Sequence, residues 1–238
     1  MGMLDTLLDI QSHDTTTDQV RHRRATLPER EELASLRDEI ARLDGQCATL
    51  INRRDELTAQ ERAFAEESAP LEVRAKNDEA KLYSGEIASP RELQALQADV
   101  EQLRRHQRGV EDRQLGLMEQ REGTESELAE IDEKRADVVK RAEALAAALG
   151  EAEAICDEEM AAEEKARAAL ASELADGLLD DYEQARKRAG GIGAARLVGD
   201  TCQGCHLSLP ATEVVRLRKQ TDDVAPFCDN CGCILVPS

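Results

Sequence analysis

From Leu33 onward, apolar residues return at alternating steps of three and four: Leu33, Leu36, Ile40, Leu43, Cys47 and Leu50, then Leu57, Phe64 and Leu71 at intervals of seven. A repeat averaging 3.5 residues paints one narrow stripe along a helix, and only another helix wound against that stripe can bury it. A second seam places Leu96, Leu103, Val110, Leu117, Thr124, Ile131, Val138, Leu145 and Ala152 on one heptad position, with Leu93, Val100, Leu128 and Leu149 on its partner. The 238-residue chain has no Trp, two Phe and two Tyr, and 34% of it is charged, so it cannot fill a broad three-dimensional core. The predicted fold class is mainly α: a long antiparallel coiled-coil hairpin, joined to a small C-terminal module of short β-strands plus one short helix.

The punctuation between the seams sets the boundaries. Tyr83 to Ser89 interrupts the heptads, and Ser89, Pro90 and Glu92 then supply an N-cap, an N1 proline and an N3 acid in order. With a loop that short, the second helix must run back along the first. The arm from Glu31 to Leu82 is about 75 Å long at ~1.5 Å per residue. Extended backwards, the register fails between Ser12 and Thr26, where Val20 is the only large apolar residue, and Thr26 with Glu29 suggests a capping box around Pro28. An amino-terminal helix, a kink near residue 28 and a long first arm follow from this. Helix two outlasts that arm, so beyond about Ala168 it lacks a partner unless the chain turns back on the amino-terminal helix. Gly177 permits the turn, with Leu178, Leu179 and Tyr182 on one last helical face at about 178–189. The glycines at 190, 191 and 193 mark the expected boundary between residues 1–189 and 190–238. Polar seam residues (Arg54, Glu61, Gln107, Gln114, Arg121) meet the outward glycines Gly109, Gly116 and Gly123 at one level, where the hairpin is expected to breathe most.

A formal net charge of −19 argues against general affinity for phosphate backbones, which rests on Lys and Arg displacing counterions. The basic clusters at Arg21 to Arg24, at Arg104, Arg105 and Arg108, and at Arg186 to Arg188 are expected to be solvated helix faces. No apolar run approaches the ~20 residues needed to span a bilayer, and no basic-then-apolar signal segment opens the chain. A cytoplasmic protein without a membrane partner is therefore expected. Gly2 and Thr6 match an N-myristoylation pattern, although Met1-Gly2-Met3 reads equally as an extension before a native Met3.

Seven cysteines, five of them after residue 200, make poor sense as a disulfide framework and good sense as metal ligands. Cys202-Gln203-Gly204-Cys205 and Cys228-Asp229-Asn230-Cys231 are two C-x2-C pairs 22 residues apart, the spacing of a four-cysteine zinc site. One structural Zn2+ held by Cys202, Cys205, Cys228 and Cys231 would also answer a stability problem, because the 49 residues from Gly190 to Ser238 contain a single Phe. Strands are expected at 194–198, 207–209 and 234–236, and a helix at 210–219. Cys202-Gln-Gly-Cys205-His206 also spells a c-type haem attachment site, but that needs export and leaves the second pair unexplained. A thioredoxin-like pair lacks its βαβ context, and four thiolates would close a zinc shell to catalysis. Cys233 is read as a spare thiol or a substitute for Cys231, His206 as a surface or supporting residue, and Cys47 and Cys156 as buried packing residues. Arg216, Arg218 and Lys219 form a small basic face on the module, in a region with four basic and five acidic residues and no footprint for DNA.

Leu82-Tyr83-Ser84-Gly85 with Pro90-Arg91-Glu92-Leu93, Gly190-Gly191, Ala195-Arg196-Leu197, Cys202-Gln203-Gly204-Cys205-His206 and Cys228-Asp229-Asn230-Cys231-Gly232 together resemble the bacterial C4-type zinc-ribbon, long coiled-coil protein family. The resemblance implies a hairpin plus zinc ribbon, no catalytic activity, and a role as a binding protein or chaperone. Members are linked to an alternative sigma factor, to flagellar or type III export components, and to messenger RNA. Cys233 and the ending Val236-Pro237-Ser238 depart from the Arg and the aromatic expected after the last knuckle.

The expected function is a non-enzymatic zinc-binding adaptor or chaperone-like protein that grips a protein partner through hairpin and ribbon. One alternative is an RNA-polymerase-associated transcription regulator using the coiled-coil tip, where Glu86 lies in the loop and Asp78 and Glu79 just before it. Another is RNA binding through the zinc ribbon and the basic residues near Arg186.

Overall fold

A computed structural model describes residues 3–175, 177–219 and 225–237, with the side chains of Arg218 and Lys219 also outside the description. The pattern at Gly2 and the Arg218 and Lys219 part of the basic face thus fall outside the described residues. Four helices come first: α1 (Met3–Ala25), α2 (Pro28–Tyr83), α3 (Pro90–Ala171) and α4 (Leu178–Arg188). Then follow β1 (Ala194–Val198), β2 (Thr201–Cys202), α5 (Ala211–Lys219) and β3 (Ile234–Pro237). Packing divides the chain into Glu32–Ala144 and a second unit made of Met1–Glu31 with Leu145–Ser238.

Within residues 32–144, α2 and α3 run antiparallel, as the partners show: Cys47 with Asp132, Arg53 with Gln120, Glu61 with Arg121, and Glu79 with Arg104. Leu33, Leu36, Leu43, Cys47, Leu57, Ser68 and Ala75 form the buried stripe of α2, in the heptad register read from the sequence. Val100, Gln107, Val110, Val138 and Ala142 face it from α3. Polar residues stay in the seam at the level of Glu61, where Arg121 donates to that carboxylate at 2.9 Å. A side chain added at Gly109, Gly116 or Gly123 would meet nothing, which places all three on the outer face. The turn is capped as expected, with the Glu92 N–H donating to Ser89 Oγ at 3.4 Å.

In the other unit, α3 keeps a partner almost to its end. Arg24 binds Asp157 at 2.8 Å, His13 meets Glu163, and Arg167 donates to Asp14 at 2.9 Å, so α1 carries on the antiparallel register. The stripe of α1 is Leu7, Ile10, Gln11, Asp14, Thr17 and Val20. Its register therefore does not fail after Ser12; the seam continues through buried Asp14 and Thr17, and Gln11 and Asp14 find polar partners. The capping box expected at Thr26 does not form. The Thr26 hydroxyl donates to the His22 carbonyl at 2.9 Å and ends α1, as Ser and Thr do when the carbonyl four residues back is in reach. Glu29 Oε2 is buried without a hydrogen-bond partner among the described residues.

Gly177, at φ +92°, breaks the chain ahead of α4, which folds back on α1. Tyr182, fully buried, donates its hydroxyl proton to Asp14 at 2.7 Å, and Arg186 binds Asp18 at 2.6 Å. Burial, then the Asp14 carboxylate, push the Tyr182 phenol far above its ordinary range, so it is a permanent donor. The basic clusters are consequently not free faces: Arg23 and Arg24 are tied to α3, Arg104 to Glu79, and Arg186 to α1. Gln11 joins helix to sheet, accepting from the Gly193 N–H at 2.6 Å and donating to the Gly191 carbonyl at 3.0 Å. Gly193 is required here, because a Cβ would stand 2.5 Å from the Tyr182 ring.

The sheet has the order β2-β1-β3, with β1 antiparallel to β2 and parallel to β3, pairing Ala194 with Ile234 and Leu197 with Pro237. The strand expected at 207–209 does not form. Only Ser208 bridges to the sheet, opposite Thr201, because the left-handed backbone of His206 and the proline at 210 leave no room for a longer ladder.

Candidate metal centre

Two turns of the same design carry the four cysteines. In the first, the His206 N–H donates to the Cys202 carbonyl at 2.8 Å and the Cys202 N–H to the Leu207 carbonyl at 3.1 Å. In the second, Gly232 donates to Cys228 at 2.8 Å and Cys228 to the Cys233 carbonyl at 2.8 Å. His206 (φ 59°) and Gly232 (φ 77°) take the left-handed position that closes each turn. This correspondence sorts the uncertain residues. His206 stands where the other turn has glycine and its side chain is exposed, so it is a backbone corner away from the sulfurs. Cys233 is the counterpart of Leu207, one step beyond the corner, whereas Cys231 is the counterpart of Cys205.

The Sγ atoms of Cys202, Cys205, Cys228 and Cys231 all lie within 4.8 Å of one another. Cys202 is 4.0 Å from Cys231, and Cys205 is 4.0 Å from Cys228. A tetrahedron with Zn–S bonds of about 2.3 Å has edges of about 3.8 Å, so a small inward shift of the sulfurs brings the donor set onto zinc. Soft sulfurs at every corner select zinc over hard cations.

Protonation in the absence of a cation points the same way. Burial opposes charge at Cys202, but the backbone N–H groups of Cys205 and Gly204 outweigh it and hold this thiol below its ordinary range. Burial pushes Cys205 up, and Cys228 up to about 12. The fold thus favours the thiolate form at Cys202, and binding a metal ion at the site releases thiol protons. Burial also pushes Cys233 far above the usual thiol range, which keeps this fifth sulfur neutral beside the four.

A family model for the CT398-like coiled coil hairpin domain matches residues 10–190, and one for the C4-type zinc ribbon domain matches residues 201–235. The chain belongs to the CT398-like hairpin family. It is 30% identical over 232 residues to an uncharacterized protein of Mycobacterium tuberculosis, Rv2229c, covering 97% of this chain and 93% of the relative. A solved structure from Mycobacterium smegmatis superposes with a TM-score of 0.85 at 26% identity, covering 98% of this chain and 97% of the other. CT398 from Chlamydia trachomatis shares the fold, with a TM-score of 0.72 at 19% identity over 99% and 98% of the two chains.

As a CT398-like hairpin protein with a C4 ribbon, the chain carries one structural zinc site formed by the two turns. No described helix is long and apolar enough to cross a membrane. Cys47 in α2 and Cys156 in α3 are buried in the helical packing. The feature missed in the sequence is the polar cluster of Gln11, Asp14, Tyr182, Arg167 and Arg186. Its signal was present in the seam spacing of Ile10, Asp14, Thr17 and Val20, hidden because apolar periodicity ignores buried polar residues.

Proposed function

We propose that the protein is a non-enzymatic cytoplasmic adaptor that binds a protein partner through the hairpin turn and the ribbon surface. The observation that carries this is Tyr83, which is 84% exposed in the turn between α2 and α3. Aromatic side chains are scarce here, and the other tyrosine is fully buried. An amphipathic ring left in water at a turn is an anchor suited to a partner's pocket. The closed four-sulfur shell supports the same conclusion, since it leaves no corner for a substrate and makes zinc a scaffold element. A zinc site built from cysteines, in place of a disulfide framework, suits the cytoplasm.

The alternatives draw less support. Of the acids near the turn, Asp78 is paired with Lys81 and Glu79 with Arg104, leaving Glu86 as an isolated acid rather than a cluster for a polymerase channel. Arg186 is engaged by Asp14 and Asp18, and Arg188 lies over the Phe227 ring at 5.7 Å, so the basic segment offers little to RNA. The test is affinity capture from the native cell with wild-type protein and Tyr83→Ser, each checked for zinc content and helicity. A reproducible partner held by the wild type and lost by the variant is expected. Identical captures by both proteins would remove the turn from the proposal.

A further inference from the structure

The ribbon holds five sulfurs where a tetrahedral metal needs four, and the fifth is not placed at random. Cys233 Sγ lies 3.3 Å from Cys231 Sγ and 3.6 Å from Cys202 Sγ, closer to Cys231 than the 4.0 Å that separates Cys231 from its fellow ligand Cys202. Two features hold it there. Cys233 is fully buried, and Gly204 makes room for it, since a Cβ on Gly204 would stand 3.3 Å from its sulfur. The corresponding position in the other turn is Leu207, 53% exposed, so the turn geometry itself does not require burial or sulfur at this place.

Exposure divides the pair. Cys231 is half-buried and Cys233 is closed to solvent, so a small oxidant in water meets Cys231 first. We propose that Cys231 and Cys233 form a peroxide-responsive pair, in which Cys231 is the oxidised sulfur and Cys233 the resolving thiol that turns the zinc site off reversibly. This goes beyond the adaptor role and rests on the four-sulfur zinc site rather than on any partner.

The chemistry balances with a hydroperoxide as the oxidant. A lone pair of the Cys231 thiolate attacks the outer oxygen, the O–O bond breaks, and the departing oxygen leaves as hydroxide or alkoxide and takes a proton from water; Cys231 becomes a sulfenic acid. The Cys233 sulfur then attacks the Cys231 sulfur, the S–O bond breaks, and the Cys233 proton leaves with that oxygen as water. Two sulfurs have lost two electrons and the peroxide has gained them. The oxidised pair offers no thiolate at the fourth corner, leaving three sulfurs for the metal. The adjacent thiol also intercepts the sulfenic acid before it advances to the sulfinic stage, from which ordinary thiols cannot restore it.

The experiment uses the full-length zinc-loaded protein, hydrogen peroxide, a chromogenic zinc chelator and non-reducing peptide mapping. Wild type is expected to release its zinc, to yield a peptide crosslinked between Cys231 and Cys233, and to take zinc back after thiol reduction. Cys233→Ser is expected to hold the same zinc as wild type before oxidation, to accumulate sulfinic Cys231, and to lose most of the recovery. Cys233→Ala serves if the serine variant does not fold, and the wild-type crosslink map is decisive without either variant. Crosslinks confined to the pairs 202–205 and 228–231, or variants that recover zinc as fully as wild type, would overturn the proposal. Protein containing no zinc before peroxide is added would instead overturn the metal site itself.

Discussion

Residues 32–144 and the unit of 1–31 with 145–238 bury their side chains in different ways. In the first, Leu57, Val110 and the small Ala75 are the side chains sealed from solvent, and the other apolar residues of the seam keep an edge in water. In the second, Leu7, Ile10, Tyr182, Leu197, Ile234, Leu235 and three cysteines are all sealed. A seam two residues wide spreads its stabilisation thinly along its length, so each contact is local. A converging cluster concentrates stabilisation, and here it depends on a metal that the seam does without and on a polar network built around a sealed tyrosine.

The sharpest way to break this comparison is to remove the metal. Cys202→Ser, or chelation, should unfold β1, β2, β3 and α5, because structural zinc in small modules is coupled to roughly 10 to 16 kcal/mol of folding free energy. Residues 32–144 should keep their helicity and their hydrogen-exchange protection. Loss of protection in both units together would show that they are not energetically separate.

Single truncations should then separate the two kinds of packing. Tyr182→Ala removes a sealed ring and strands Asp14 and Gln11, for an expected loss of about 4 kcal/mol. Exchange should accelerate across α1, α4 and β1 together. Leu57→Ala should cost about 3 kcal/mol. Its exchange signature should stay within a turn or two of Leu57 and of the facing part of α3. Equal spread from both sites would contradict the contrast.

Filling the outward glycines should strengthen the seam at its polar level. Gly109→Ala, Gly116→Ala and Gly123→Ala place methyl groups into open space. Each should add about 1 kcal/mol of helix stability. Hydrogen exchange should slow between Gln107 and Glu125 and remain unchanged in the ribbon. In the wild type this level should exchange fastest within the paired part of the hairpin.

Most of the seam was legible in the sequence because heptad spacing is set by the helix itself: Leu33, Leu36, Leu43, Cys47 and Leu57 needed no tertiary information. The zinc site was legible because C-x2-C pairs impose their own local geometry. What was not legible depended on distant partners. Asp14 reads as a break in the stripe until Tyr182, Arg167 and Arg186 arrive from more than 150 residues away. Thr26 read as a cap for the following helix, because the sequence does not say whether a hydroxyl will turn forward to an N–H or back to a carbonyl. The short strand at Thr201 and Cys202 was hidden for a related reason: two residues carry no periodicity, and their pairing is dictated by the turn that follows.

The smallest effect concerns the ion pairs that decorate the seam. Arg104 donates to both oxygens of Glu79, at 2.9 Å and 2.7 Å, and its guanidinium holds that carboxyl below the usual carboxylate range. A carboxyl whose folded pKa is depressed stabilises the folded state above its unfolded value of about 4.3, and that contribution disappears as the pH falls through the folded value. Glu79→Gln should therefore lower the melting temperature slightly at pH 7, and the difference from wild type should close on acidification below that range. High salt should close it too, because solvent reaches the pair and screens it. A difference that survives both treatments would mean that the glutamate contributes through packing of its stem. The narrow seam would then depend on its polar flanks for more than charge.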